Sequence, residues 1–109
     1  VAGPFYRITQ TFTATGNGTA LVATAGPAKS FTIQVTGTGA TPTSWDVRAE
    51  GSLDNSSFTQ ILQHTETTGN GVAFYSGSTL SPSLYFRIRV AALVLGTATN
   101  IVVVLLGMQ

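Results

Sequence analysis

Four carboxylates and one imidazole are all that the chain offers for acid–base chemistry: Asp46, Glu50, Asp54, Glu66 and His64. Three of the acids fall within one stretch, Trp45–Phe58, which reads WDVRAEGSLDNSSF. That stretch is a carboxylate site, a ligand loop or one hairpin of a scaffold. Residues four apart on a strand share a face, but at ~3.3 Å per residue Asp46 and Glu50 lie ~13 Å apart. This exceeds the ~5–9.5 Å that separates glycosidase carboxyl pairs, and Arg48 lies between them. An alternating charge ladder facing Arg87 and Arg89 on a neighbouring strand fits better; such pairs set register and contribute tenths of a kcal/mol each. His64 is the sole histidine and no Gly-x-Ser-x-Gly elbow accompanies it. A lone histidine near a strand end reads as a surface or hydrogen-bonded residue, so no catalytic residue is expected.

Metal and cofactor chemistry has as little to work with. Asp54, Asn55 and Ser56 carry oxygen ligands, with Glu66 as a fourth, but the spaced Asp-x-Asp-x-Asn pattern of a calcium loop is missing. Asp54 and Asn55 read instead as a hairpin turn, because Asx side chains bond to the backbone just ahead of them. No cysteine is present, so thiolate metal sites and disulfides are excluded. Two Gly-Asn-Gly triplets, Gly16–Gly18 and Gly69–Gly71, are not phosphate loops, because no helix follows them. They read as turns, since Asn and Gly tolerate the positive φ of primed hairpins. Five basic residues without a cluster leave no nucleic-acid footprint. The apolar run Ile101–Leu106, which no other run exceeds in length, is too short for a spanning helix. No cofactor, metal, nucleic-acid or membrane partner is expected. Val1–Tyr6 does not read as a signal peptide, so the two matches to the glycosylation acceptor, at Asn17 and Asn55, carry no weight.

The elements that must position these residues are strands. Thr, Val, Phe and Tyr dominate the regular stretches, and Gly, Pro, Asn and Ser punctuate them. About eight strands are expected, near 5–13, 19–24, 30–37, 43–51, 57–64, 72–76, 83–92 and 99–107, in one domain spanning 1–109. Residues 1–13 form an arm or edge strand that contacts a neighbour. Period-2 faces place Phe31, Ile33 and Val35, then Trp45, Val47 and Ala49, then Leu84, Phe86, Ile88 and Val90, on the core side. Adjacent Ile61 and Leu62 break the phase and predict a bulge. The four prolines fall at strand edges or in connections. The fold class is all-β: an antiparallel two-sheet β-sandwich, jelly-roll-like.

Composition bears on how the molecule lives. Hydrophobic residues make up 43% of the 109 residues and charged residues 8%, against roughly 25% charged in soluble domains. With a net charge of +1, the surface must be clothed in hydroxyls and amides, which cost less to desolvate than ions. The last strand sharpens the point. Ile101, Val102, Val103, Val104, Leu105 and Leu106 are apolar on both faces, so the outer face is covered either by the chain's own elements or by another subunit. At ~25 cal/mol per Å², its three outward side chains offer several kcal/mol to a partner. These six residues are the candidate interface.

Two segments, WDVRAEGSLDNSSFTQIL and LSPSLYFRIRVAAL, together resemble small structural proteins of tailed bacteriophages. In these a Trp strand, an E-G-S-x-D turn, an aromatic and a late Y-x-R-x-R strand recur in this order. The resemblance spans Phe31–Met108. More distantly the segments are similar to discoidin-like and carbohydrate-binding jelly rolls, with Asn55 standing for their Gly and Phe58 for their Trp. The phage resemblance implies a non-enzymatic virion component made in the bacterial cytoplasm. It would be a head decoration protein bridging shell subunits, or a tail or portal subunit. Its partners would be the major capsid protein or other virion proteins, and copies of itself, most often as a trimer. The carbohydrate resemblance implies a host-attachment module as the alternative, with Tyr75 and Tyr85 as its candidate platform.

Overall fold

The computed structural model describes residues 5–66 and 72–109, with side chains described over 5–66 and 83–109. Nine strands run β1 Phe5–Phe12, β2 Gly16–Asn17, β3 Leu21–Val22, β4 Ala28–Thr38, β5 Ser44–Ser52, β6 Thr59–Glu66, β7 Val72–Ser83, β8 Tyr85–Val94 and β9 Asn100–Met108. One sheet has the order β1-β9-β4-β7; the other has the order β2-β8-β5-β6, with β3 continuing β2's edge of β8. All pairings are antiparallel. Nine strands thus fill eight positions, and the crossing connections are those of a jelly roll.

The alternation in the sequence is what closes the sandwich. Each of the four central strands turns three side chains inward: Phe31, Ile33 and Val35 from β4; Trp45, Val47 and Ala49 from β5; Phe86, Ile88 and Val90 from β8; Ile101, Val103 and Leu105 from β9. All twelve are at most 1% exposed. Phe31 and Phe86 meet edge to face across the sheets at 5.4 Å, and Tyr6 packs on Phe86 at 5.9 Å. Gly107 is the next inward position of β9, where a Cβ would lie only 3.1–3.3 Å from Phe31, Ala28 and Phe86. The hydrogen there makes room for the aromatic pair. Tyr6 also ties down the β3–β4 connection, donating to the Gly26 carbonyl at 2.8 Å and accepting from the Ala25 N–H at 3.0 Å.

The bulge falls where two adjacent apolar residues predict it. Ala49 pairs with Leu62 but Glu50 with Gln60, so Ile61 is the extra residue. A second bulge leaves Ala91 between the Val47–Val90 and Asp46–Ala92 pairs.

Three expectations are corrected. Gly16–Gly18 is not a hairpin turn: Gly16 and Asn17 form β2 against Val90 and Arg89, and Gly18 donates to the Ile88 carbonyl at 2.6 Å. A Cβ on Gly18 would run into Gln10, whose side-chain oxygen accepts from the Thr19 N–H, so this glycine serves close approach. The seventh strand extends to Ser83 rather than ending at residue 76, taking Pro82 into an edge strand. Leu84 is 39% exposed, because it occupies the corner between β7 and β8 and donates its N–H to the Ser52 carbonyl. The Gly69–Gly71 turn, Pro4 and the side chain of Tyr75 lie outside the described residues.

Candidate interaction surfaces

The outer face of the β1-β9-β4-β7 sheet is almost free of charge. Along β9 its outward residues are Val102, Val104 and Leu106, all half-buried, followed by Met108 at 44% exposure. Thr11, Thr9 and Arg7 of β1 lie opposite the first three on one side, and Thr36, Gln34 and Thr32 of β4 on the other. Phe5, 67% exposed, lies opposite Met108 and lengthens the apolar stripe. Among the described residues Arg7 is the charged group beside this stripe, and Lys29, exposed at the irregular start of β4, is the other charge on the sheet.

Only half of the candidate interface set belongs here. Ile101, Val103 and Leu105 point the other way, at 0% exposure against the second sheet. A central strand whose two faces are both apolar divides its side chains by parity, so the six cannot act together. Met108 and Phe5 are the surface residues that the run Ile101–Leu106 misses. Carrying the period-2 count past Gly107 finds the first of them.

The opposite outer face, on β8-β5-β6, concentrates five of the nine charged residues. Arg48 lies directly opposite Arg89, a like-charge pair that would be unfavourable alone. Two carboxylates relieve it. Asp46 takes Arg48 at 3.0 and 3.2 Å and both its oxygens accept from Gln63 at 3.1 Å. Glu50, 5% exposed, accepts from Arg87 at 2.9 Å and Arg89 at 3.3 Å. Burial alone would raise the Asp46 carboxyl. The hydrogen bonds from Arg48 and Gln63 and the charges of Arg48 and Arg89 outweigh it and hold the group below its ordinary value. The Arg87 guanidinium lies 4.0 Å above the Phe58 ring, a cation–π contact. The expected ladder is therefore present, with Arg48 paired along its own strand and Glu50 bridging the two late arginines.

Beside Arg89, the β2 edge and β8 frame a shallow groove of ≈ 320 Å³ lined by Thr15, Gly16, Asn17, Arg87, Arg89, Val90 and Ala91. Arg87 and Arg89 share one carboxylate, so the pair carries one uncompensated positive charge at the groove.

The loop Leu53–Phe58 is organised by Asp54 and Ser52. Asp54 Oδ1 accepts from the N–H groups of Ser56 and Ser57 at 2.9 and 2.8 Å and from the Ser52 hydroxyl at 2.8 Å. Ser52 Oγ in turn accepts from the N–H groups of Asp54 and Asn55 at 3.1 Å. Asn55 has φ 60°, the one positive φ outside glycine among the described residues. This left-handed position is one that Asn and Gly share, which accounts for Asn55 standing where the resembling jelly rolls have Gly. The backbone donors from Ser57 and Ser56, with the Ser52 hydroxyl, lower the Asp54 pKa to about 2. A depressed carboxyl pKa stabilises the fold above the unfolded value of ~3.9 and loses that contribution as pH falls through the folded value. Asp54→Ala is expected to lower the melting temperature at neutral pH and to flatten its fall between pH ~4 and ~2. Calcium should not change either curve. A calcium-dependent rise in the wild type, absent from the variant, would make the loop a metal site instead.

His64 is half-buried. The bulge at Ile61 resets the phase of β6, so His64 lies opposite Val47 on the inward side and its ring is 6.0 Å from that of Trp45. Packing against the core tryptophan is what the structure assigns to it.

No family model and no curated protein matches the sequence. Among solved structures, the chain is similar to the SPBc2 prophage-derived protein YomS at 13% identity and TM-score 0.61, covering 100% of this chain and 98% of that one. It is similar to the Yersinia pseudotuberculosis-derived mitogen at 7% identity and TM-score 0.51, covering 97% and 86%. A CBM4 structure aligns at 14% identity and TM-score 0.42, covering 94% of this chain and 61% of that one, too loosely to bear on function. At such identities the likeness shows the fold alone. That fold is an all-β sandwich.

Proposed function

We propose that the protein is a non-enzymatic structural subunit of a bacteriophage virion, a head decoration protein that docks on the shell and bridges its subunits. The observation that carries this reading is the outer face of the β1-β9-β4-β7 sheet, apolar at its centre and hydroxyl-rich at its flanks, with Arg7 and the exposed Lys29 its charges among the described residues. Interfaces deplete charge in their buried core while accepting neutral polar groups, and this face already has that makeup. The match in fold to a prophage-derived protein over nearly the whole of both chains supports a phage setting. Its partners are the major capsid protein or other virion proteins, and further copies of itself. Purified protein should co-sediment with phage heads and not with tails. Because few ions take part, retention should change little with salt, since screening acts on charge pairs. A protein that pellets with tails alone moves the role to the tail, and one that ignores both particles overturns the reading.

A second reading rests on the groove between β2 and β8. A guanidinium with spare donors beside Asn17 and Thr15 suits an acidic glycan, whose carboxylate Arg binds bidentately, and makes the protein a host-attachment module. Sugar-specific, saturable thermal protection, lost in Arg89→Ala, would favour it over capsid docking.

A further inference from the structure

The four sheet edges are not alike. β2 and β3 together offer an edge broken into two-residue pieces. β6 is bulged at Ile61. β7 carries Pro82, and its pairing with β4 slips between Ala28–Ser83 and Ser30–Ser78. Short strands, bulges and proline are the devices by which sheets avoid adding foreign strands. β1 has none of them. Its eight residues, FYRITQTF, run in unbroken register with β9 from Phe5–Met108 to Phe12–Ile101, without proline, lysine or bulge. Among the described residues no strand pairs with its other side.

We infer that β1 is a self-pairing edge, on which the β1 of a second copy adds antiparallel about a two-fold axis normal to the sheet. A row of unpaired N–H and C=O groups is matched only by another extended backbone, so the occupant must itself be a strand. The two-fold keeps outward residues opposite outward residues, which leaves two well-overlapped registers. In one, Arg7 faces the partner's Thr9 and the two Ile8 residues meet. In the other, Arg7 faces the partner's Thr11 and the two Thr9 residues meet. Neither sets Arg7 against its own counterpart, so the strand's one charge does not oppose self-pairing. A third argument rests on the proposed docking role. At ~4.8 Å between strands and ~3.3 Å per residue, one four-stranded face presents ~500 Å², below the ~800 Å² per partner of a standard interface. Joining two copies at β1 makes one continuous eight-stranded face of about twice that area. Self-pairing is two-fold, so it builds dimers rather than the trimer that the phage resemblance implies.

Thr9 is exposed and outward, and in both registers Thr9→Lys opposes like charges: Arg7 in the first, its own copy in the second. Sedimentation across a concentration range should show a wild-type dimer and a Thr9→Lys variant whose pairing is weaker by roughly tenfold. Thr9→Glu then reads the register, strengthening the dimer if Arg7 faces it and weakening it if the two copies of residue 9 meet. Hydrogen exchange on the wild type gives a readout that needs no variant, because alternate amides of β1 should gain protection as concentration rises. A wild type that is monomeric throughout, a trimer, a dimer indifferent to Thr9→Lys, or β1 amides indifferent to concentration would overturn the inference. An intact dimer that ignores phage particles would instead remove the virion role and leave the seam standing.

Discussion

Trp45→Ala is expected to leave the protein unfolded or insoluble. Trp45 is 1% exposed near the start of β5, and it is the largest of the fully buried side chains. Truncating a large core aromatic costs ~3–5 kcal/mol, and a domain of this size holds only ~5–15 kcal/mol in all. The local geometry argues against collapse around the cavity, because β5 is hydrogen-bonded on both sides, to β8 and β6, and cannot shift alone. The indole N–H adds a second element: Nε1 is buried with no hydrogen-bond acceptor among the described residues, and an unmet donor costs ~1–3 kcal/mol. Trp45→Phe therefore gives up volume but also discards that donor, and it should fold with a lowered melting temperature. Trp45 is the only tryptophan, so intrinsic fluorescence reports on it alone. Native emission should be blue-shifted and move red on unfolding. A folded Trp45→Ala with near-native melting, or red native emission, would place Trp45 outside the core and reopen the carbohydrate platform.

What could be read ahead of the fold was local and periodic. Of the three alternating sets beginning at Phe31, Trp45 and Leu84, all but Leu84 are core, because side-chain parity in a strand is a property of the chain itself. The bulge at Ile61 was legible for the same reason, since Ile61 and Leu62 cannot both face inward without an extra residue. Even the inward turn of His64 follows from that bulge, once Leu62 is taken as the new inward position and two residues are counted on. Pairing partners are a different matter. That Arg48 faces Arg89, and that Glu50 rather than Asp46 takes both late arginines, depends on register between strands some 40 residues apart, which no local pattern encodes. Ile101–Leu106 failed as a six-residue interface for a related reason. Two apolar faces leave open which parity meets the second sheet. Gly16–Asn17 misled because the dipeptide that favours a primed turn equally suits a short edge strand where a neighbouring backbone comes close.

Parity along β9 also sets the sharpest contrast between folding and docking. Val103 is 0% exposed and lies opposite Val35 of β4 and Gln10 of β1, facing the second sheet. Val103→Asp buries a carboxylate with no cation beside it, a penalty of several kcal/mol, and should not fold. Val104 is its neighbour on the same strand but half-buried and outward, between Thr9 and Gln34. There the carboxylate keeps water and hydroxyls around it, so Val104→Asp should fold with a modest loss of stability. Its cost should appear on docking, when the centre of the neutral face is covered and the ion is desolvated without a partner. Circular dichroism and thermal melting measure the first effect, and co-sedimentation with phage heads the second. Val104 lies on β9, one strand in from β1 and two from the partner's β1 across the proposed seam, so dimerisation should survive Val104→Asp while head binding is lost. If Val104→Asp folds and still pellets with heads, docking uses another surface. If it fails to fold, the outer face of β9 is covered within its own chain, and the half-buried stripe is a second core layer rather than an interface.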